Sequence, residues 1–487
     1  MTRSMSDHRA TLRSQATRGA AWSGVSTIVL RLGGLVVGIV LARLLSPEEF
    51  GVYAVALTVQ AILITVADLG LSADLIRSDD PDRIAPTVAT LGLTSGAIMT
   101  AITLASSVAI ADLLGAPAAA PAISVLSLTL VLAGASVVPY AMLQRRFQQR
   151  ELFFVGVADF LVSTTVTLAL VAIGLGPLGL AIGRVAAQVV STVMQFVLAR
   201  VVPRFGIDRA AIGPVLAFGL PIAAANLLSW TLLNVDNIIL VRIAGAAALG
   251  FYVLAFNISG WPMSALSQVV RSISLPYFSR TGSGSEGLAP VVAVAWAGAL
   301  PAGAVLAALS APLIEVVYGA KWLPAAPVLA ALGLYGSLRV VFDLFAGFLY
   351  ARGRSRPVLW IQLAWLAVLV VGMIFATQAF GIVGAGWVHV VVAVVVVLPA
   401  YALALRSAGV RFRTILRAAW WPTVAAVPAV AVAIGARLLI ENPVGAVLVG
   451  GLGAVAVYLL VGWPWLRQHV RAIRGSERVG VAVHDVA

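Results

Sequence analysis

The chain contains no cysteine in its 487 residues. Disulfides, thiol nucleophiles and cysteine-ligated metals are therefore excluded. Lysine occurs once, at Lys321, against 31 arginines, and charged residues of every kind make up only 10% of the sequence. No Walker motif, metal-ligand cluster, nucleophile–base constellation or DxD-like nucleotide-sugar site is present, which argues against an enzyme. No connection between apolar runs is long enough to hold a folded extramembrane domain. A polymerase or ligase of membrane glycans would need such a loop; the longest candidate, around Pro312–Pro324, carries only Glu315 and Lys321.

What remains is apolar. Hydrophobic residues reach 61% and mean hydropathy is +1.03. Runs long enough to cross a ~30 Å hydrocarbon layer at 1.5 Å per residue recur almost end to end. Fourteen spans are expected, at roughly 20–43, 50–73, 87–110, 121–143, 152–173, 177–199, 214–240, 248–274, 288–310, 325–350, 357–378, 381–404, 418–438 and 444–463. The alternation of a β-barrel is missing, so the expectation is an all-α integral membrane protein. The first run reads as an uncleaved first helix rather than a signal peptide.

The net charge of +13 could suggest a nucleic-acid partner, but its distribution points elsewhere. With the N-terminus inside and spans alternating, 25 basic residues fall on the cytoplasmic side, four outside and three within spans. That asymmetry is a strong positive-inside signal and places both termini in the cytoplasm. Trp22, Trp322, Trp360, Trp420, Trp421, Trp463 and Trp465 fall near span ends, where amphipathic rings anchor at headgroup depth.

Two stretches repeat. Gly38–Ala56 reads GIVLARLLSPEEFGVYAVA and Asn237–Ala255 reads NIILVRIAGAAALGFYVLA, with six of nineteen positions identical at an offset of 199. The arginine-rich connections QRRFQQR (144–150) and ARGRSRP (351–357) correspond. So do the turns Gly176-Pro-Leu-Gly179 and Gly381-Ile-Val-Gly384. Six helices therefore repeat as six helices in the same orientation, giving two parallel lobes. The expected organisation is a tail at 1–19, an N-lobe at 20–210, a C-lobe at 211–410, and a further helix pair with a cytoplasmic tail at 411–487.

The segment RGAAWSGVSTIVLRLGGLVVGIVLARLLSPEEFGVYAVALTV, the following ADLGLSADLIR, and FGLPIAAANLLSWTLLNVDNIILVRIAGAAALGFYVLAFNISGWP in the second half carry a family likeness. Over roughly residues 18–410 the chain resembles the Wzx-type oligosaccharide flippases of the MOP superfamily, which also includes the lipid II flippase and the MATE exporters. The hairpin L-A-R-x-L-x-P-x-x-F-G-x-Y is the most specific part. The resemblance implies two six-helix lobes in a V, opening alternately to either side of the bacterial cytoplasmic membrane. It also implies a polyprenyl-(pyro)phosphate-linked oligosaccharide as cargo for cell-surface polysaccharide biosynthesis. Membrane lipids, a polysaccharide polymerase and glycosyltransferases would be the partners. The appended helix pair is more similar to the fourteen-helix lipid II flippase than to twelve-helix members.

An anionic cargo calls for cations within the membrane, where a charge costs about 2.5–3.5 kcal/mol on insertion scales. Arg31, about twelve residues into the first span, is the foremost candidate for the phosphate or an acidic sugar; the alternative is an interhelical pair with Asp68. Arg271 is placed to meet a headgroup or to snorkel. Arg339 and Asp343 share a helical face, either as an intrahelical pair or as a binding element. Arg184 and Asp159 could also be structural, but their expected depths do not match. Asn226, Asn257 and Gln268 could bond sugar hydroxyls or join helices. Asp68, Asp236 and Asp343 are the candidate coupling carboxylates, for a proton or a sodium gradient, although Asp236 also reads as an interfacial cap. His389 is either a titrating switch or a satisfied core histidine. Arg43 and Arg242, at equivalent outer ends, read as scaffold that snorkels or bonds helix C-terminal carbonyls. No metal or cofactor is expected. A MATE-like small-molecule exporter on the same architecture is the alternative, but the arginines suit it less well than an anionic cargo.

Overall fold

The computed structural model describes residues 29–202, 204–280 and 287–484. Among them every regular element is helical. A bilayer core has no water for exposed backbone groups, so a chain this apolar satisfies its N–H and C=O groups inside helices. The helices are α1 (29–44), α2 (Pro47–Asp68), α3 (Leu71–Arg77), α4 (Pro81–Leu113), α5 (Ala120–Arg145), α6 (Gln149–Ala172), α7 (Gly176–Ala199), α8 (Arg209–Arg280), α9 (Leu288–Ala308), α10 (Ser310–Tyr318), α11 (Ala326–Ala351), α12 (Ser355–Val392), α13 (Leu398–Ser407), α14 (Phe412–Leu439) and α15 (Pro443–His484).

Twelve stretches among the described residues are long and apolar enough to cross a membrane. Two features separate this number from the expected fourteen. Only sixteen residues of the first expected span, 29–44, are described. The stretch Ser355–Ser407 counts once although it runs for 53 residues, far more than the ~20 one crossing needs. Gly381 breaks it with φ 58° and ψ −142°, at the turn expected from Gly381-Ile-Val-Gly384.

The repeated hairpin has its break at the same place in both copies. In the first, Ser46 ends α1 and caps α2. Its hydroxyl accepts from the Glu49 N–H at 3.2 Å, while Glu49 accepts from the Ser46 N–H at 2.8 Å. This reciprocal capping box satisfies two orphan donors of the first turn. Adding the offset of 199 to Ser46 gives Gly245, where α8 breaks with φ 84° and ψ 175°. A side chain rarely tolerates that conformation, so glycine stands where the first copy uses a cap.

The two hairpins also touch reciprocally. A Cβ on Gly51 would lie 1.8 Å from the Ala246 carbonyl oxygen, and one on Gly250 would lie 2.0 Å from that of Pro47. Pro47 and Ala246 are themselves equivalent at offset 199. Each glycine thus lies against the backbone at the start of the other copy's second helix.

The chain forms two compact units, Met1–Gly250 and Phe251–Ala487. In the first, the arginines of the 144–150 connection hold helix ends. Arg145 donates to the carbonyls of Ile76 (3.0 Å) and Ser78 at the end of α3, and Arg146 to Ala199 at the end of α7 (2.8 Å). These carbonyls lack intrahelical partners, and a cation there also meets the negative end of the helix dipole. Arg83 pairs with Asp208 at 3.2 Å. Backbone N–H bonds, led by that of Ala210, and this arginine hold the exposed Asp208 carboxyl below its usual pKa.

In the second unit the C-terminal pair α14–α15 docks on α9. The Tyr458 hydroxyl donates to the Ala297 carbonyl at 2.7 Å, and the Trp296 indole donates to Thr423 at 2.9 Å. Ala308, Leu309, Ala429, Ala433 and Ala454 form the packed seam. Such small side chains let membrane helices approach closely.

Candidate functional site

In the first unit α1, α2, α5, α6 and α7 line an open cavity of about 690 Å³. Its helices have opposed faces. On α1, Leu30, Gly34, Val37 and Leu41 line the cavity, while Val29, Leu32, Val36 and Val40 are exposed on the other side. On α7 the exposed stripe is Val189, Val193 and Val197, and the cavity face is Arg184, Gln188, Ser191 and Gln195. Both stripes follow helical spacing. An exposed stripe of valine and leucine suits lipid; the polar stripe opposite would be costly there and is gathered inward.

α6 supplies the facing stripe: Asp159, Ser163 and Thr167, spaced by four. Arg184 donates to one carboxylate oxygen of Asp159 at 2.9 Å, and the Ser191 hydroxyl donates to the other at 2.8 Å. Ser191 lies two turns from Arg184 on α7, so the carboxylate bridges one face of that helix. Gln144 and Tyr140, also lining the cavity, bond each other at 2.6 Å. Gln195 is 8% exposed, and its Oε1 has no hydrogen-bond partner in the structure. The arrangement is a polar chamber whose opposite charges cancel and whose remaining lining is carboxamide, hydroxyl and aromatic.

Arg184 and Asp159 correct the sequence reading, which put them at different depths. An arginine side chain reaches across about a turn of helix, enough to close the offset. The residues singled out in advance are dispersed. Arg31 follows Leu30 on α1 and is exposed. Asp68 ends α2, within 3.5 Å of the Ser72 hydroxyl. Asn226 and Asn257 lie on exposed faces of α8. Asp236 is buried within α8, nine residues before the Gly245 break, and accepts from the Asn237 N–H at 2.9 Å. Arg339 and Asp343 are half-buried, one turn apart on α11. The side chain of Arg271 lies outside the described residues.

Arg242 donates to the Asp112 carbonyl near the end of α4 at 3.4 Å. It therefore bonds another helix's C-terminus rather than its own. His389 is 3% exposed. Its Nδ1 lies 2.9 Å from the Ala385 carbonyl, which can only accept, so Nδ1 carries the proton. Nε2 faces the Tyr252 hydroxyl at 3.4 Å. Tyr335 packs edge-on at 5.2 Å. A second cavity of about 430 Å³, among α9, α14 and α15, is lined by alanine, valine, glycine and the rings of Trp421, Tyr458 and Trp465. Among the described residues no charged side chain lines it.

Asp159 and Arg184 were named from the sequence, but the stripes around them were missed: Ser163 and Thr167 on α6 and Gln188, Ser191 and Gln195 on α7, at helical spacing on consecutive spans. Hydropathy averages hide such stripes because the apolar residues around them dominate each window.

Residues 40–327, more than half of the chain, match the family model described as polysaccharide biosynthesis protein. The chain is similar to the lipopolysaccharide biosynthesis protein WzxC of Escherichia coli K12, with 25% identity over 88% of this chain and 89% of that one. It is also similar to the succinoglycan biosynthesis transport protein ExoT of Rhizobium meliloti, with 26% identity over 71% of each. Among solved structures, the inward closed conformation of the lipid II flippase MurJ superposes with a TM-score of 0.74 at 14% identity, covering 93% of this chain and all of that one. An inward-facing MATE family transporter of the MOP superfamily superposes at 0.60, with 15% identity over 80% and 99%. The all-helical membrane fold and these likenesses agree, and the family match over more than half of the chain decides the assignment: the chain is a multi-pass membrane protein and belongs to the polysaccharide biosynthesis protein family.

Proposed function

We propose that the protein moves a polyprenyl-(pyro)phosphate-linked oligosaccharide across the bacterial cytoplasmic membrane by alternating access, for the assembly of a cell-surface polysaccharide. Two parallel six-helix lobes, 20–210 and 211–410, would rock against each other, with 411–487 as the added helix pair and both termini in the cytoplasm. The polar chamber beside α6 and α7 carries this reading. In a protein of this family, a large space lined by carboxamides, hydroxyls and aromatic rings suits the hydroxyl-rich surface of a glycan. The cytoplasmic bias of the arginines supports the orientation. Arg31, Arg271 and Arg339 remain the proposed contacts for the phosphate. Asn226 and Asn257 are the proposed contacts for sugar, and Asp68, Asp236 and Asp343 the carboxylates that couple a proton or sodium gradient. A glycan polymerase and glycosyltransferases would act on either side of the step.

Depletion in the native cell tests this. Lipid-linked glycan should accumulate and surface polysaccharide should fall. Drug hypersensitivity without accumulation would instead indicate a small-molecule exporter, and accumulation of lipid II alone a peptidoglycan role.

A further inference from the structure

Resting on that reading, we infer that the α6–α7 chamber binds an uncharged sugar unit of the cargo, separately from any phosphate contact. Its one carboxylate, Asp159, is already engaged by Arg184 at 2.9 Å and Ser191 at 2.8 Å. A pyrophosphate would have to displace a carboxylate from its arginine, and an organic cation would have to displace the arginine from its carboxylate. Neither exchange gains a free charge. Among the described residues no other charged side chain lines the chamber. A ligand that donates and accepts hydrogen bonds without net charge fits what is left. Carboxamides offer both roles on one planar group, and sugar hydroxyls need both.

Gln195 makes the case specific. The residue belongs to the lining and is nine-tenths buried, and its Oε1 is turned away from the open space without a partner. A buried carbonyl oxygen left unsatisfied is costly, so rotation of the carboxamide toward the chamber, where a bound molecule can donate to it, is favoured. Gln188 stands two turns away on the same face of α7, and the ring of Tyr53 supplies an apolar face for a pyranose. The volume of about 690 Å³ lies within the range of small-molecule sites and well above that of one or two waters.

The test uses the full chain in lipid nanodiscs, with methyl glucoside, methyl galactoside and methyl N-acetylglucosaminide as probes beside inorganic pyrophosphate and glucuronate. Binding is read by saturation-transfer NMR against protein-free nanodiscs. At least one neutral glycoside should show saturation that falls fivefold or more in Gln195→Leu, whose native oxygen has no protein partner to lose. Thr164→Trp, which narrows the chamber with a bulky ring, should weaken it comparably, while pyrophosphate should be unaffected by either change. The inference is overturned by neutral glycosides giving no signal above the blank, by signals that Gln195→Leu and Thr164→Trp leave unchanged, or by a competing pyrophosphate signal that both changes remove. The outcome separates from that of the flippase reading. Glycan accumulation on depletion with no glycoside binding would keep the transporter and discard the chamber; binding without accumulation would do the reverse.

Discussion

Asp159 and Arg184 stand 25 positions apart in sequence and meet across two membrane helices. Their pairing cancels two charges that would each be expensive alone, so removal of one partner strands the other. Because the chamber is wide and polar, the stranded group can draw on water, and the expected loss is about 1–3 kcal/mol for Arg184→Ala or Asp159→Ala. The double variant Asp159→Ala/Arg184→Ala should lose less than the sum, a coupling readable in thermal unfolding of the purified protein. Additive losses would show that the two side chains do not act as a pair. At the same scale, the carboxyl of Asp208 is held below its usual pKa by backbone N–H groups and Arg83. A depressed folded-state pKa contributes stability above the unfolded value and loses it as pH falls through the folded value. The Arg83–Asp208 tether should therefore hold at neutral pH and release in acid, below the ordinary carboxylate range. Protection factors of the amides in residues 204–208, taken relative to the intrinsic exchange rate at each pH, should fall there in the native chain and be uniformly low in Asp208→Asn.

At the scale of elements, the hairpin shows what a sequence can and cannot reveal. The turn in both copies was legible from an offset of 199, and Gly245 breaks its helix where Ser46 caps the first. The contact between the copies was not legible, because identity at Gly51 and Gly250 says that both need a glycine and not that each needs it for the other. The polar stripes of α6 and α7 were hidden for another reason. Attention goes to charges deep in spans, whereas the chamber is built mostly from neutral glutamine, serine and threonine, recognisable only once their helices are adjacent. A side chain at Gly51 or Gly250 would push directly into backbone, at 1.8 and 2.0 Å. Gly51→Val and Gly250→Val should each cost about 1–3 kcal/mol or prevent assembly. At Gly38 a Cβ would meet nothing within 4 Å, and Gly38→Ala should stabilise α1 by up to ~1 kcal/mol. Melting temperatures of the three variants check this ordering, and equal tolerance at all three sites would contradict the contact.

At the scale of the whole molecule, the absence of cysteine becomes an experimental advantage. Single cysteines can be placed without a background. Ala118→Cys and Ala320→Cys, both exposed, should react with an impermeant maleimide from outside intact cells. Phe147→Cys and Gly353→Cys should react only after the membrane is opened, as the 25-to-four arginine asymmetry predicts. Labelling of all four from one side would contradict the assigned topology.

The central claim is translocation, and leaflet sidedness of the lipid-linked glycan measures it most directly. In cells depleted of the protein, sealed inverted and right-side-out vesicles can be probed with an impermeant periodate reagent. The lipid-linked glycan should be found almost wholly on the cytoplasmic leaflet, and re-expression should move it outward. An outer-leaflet fraction that is the same with and without the protein would contradict the assignment as a flippase of lipid-linked glycan.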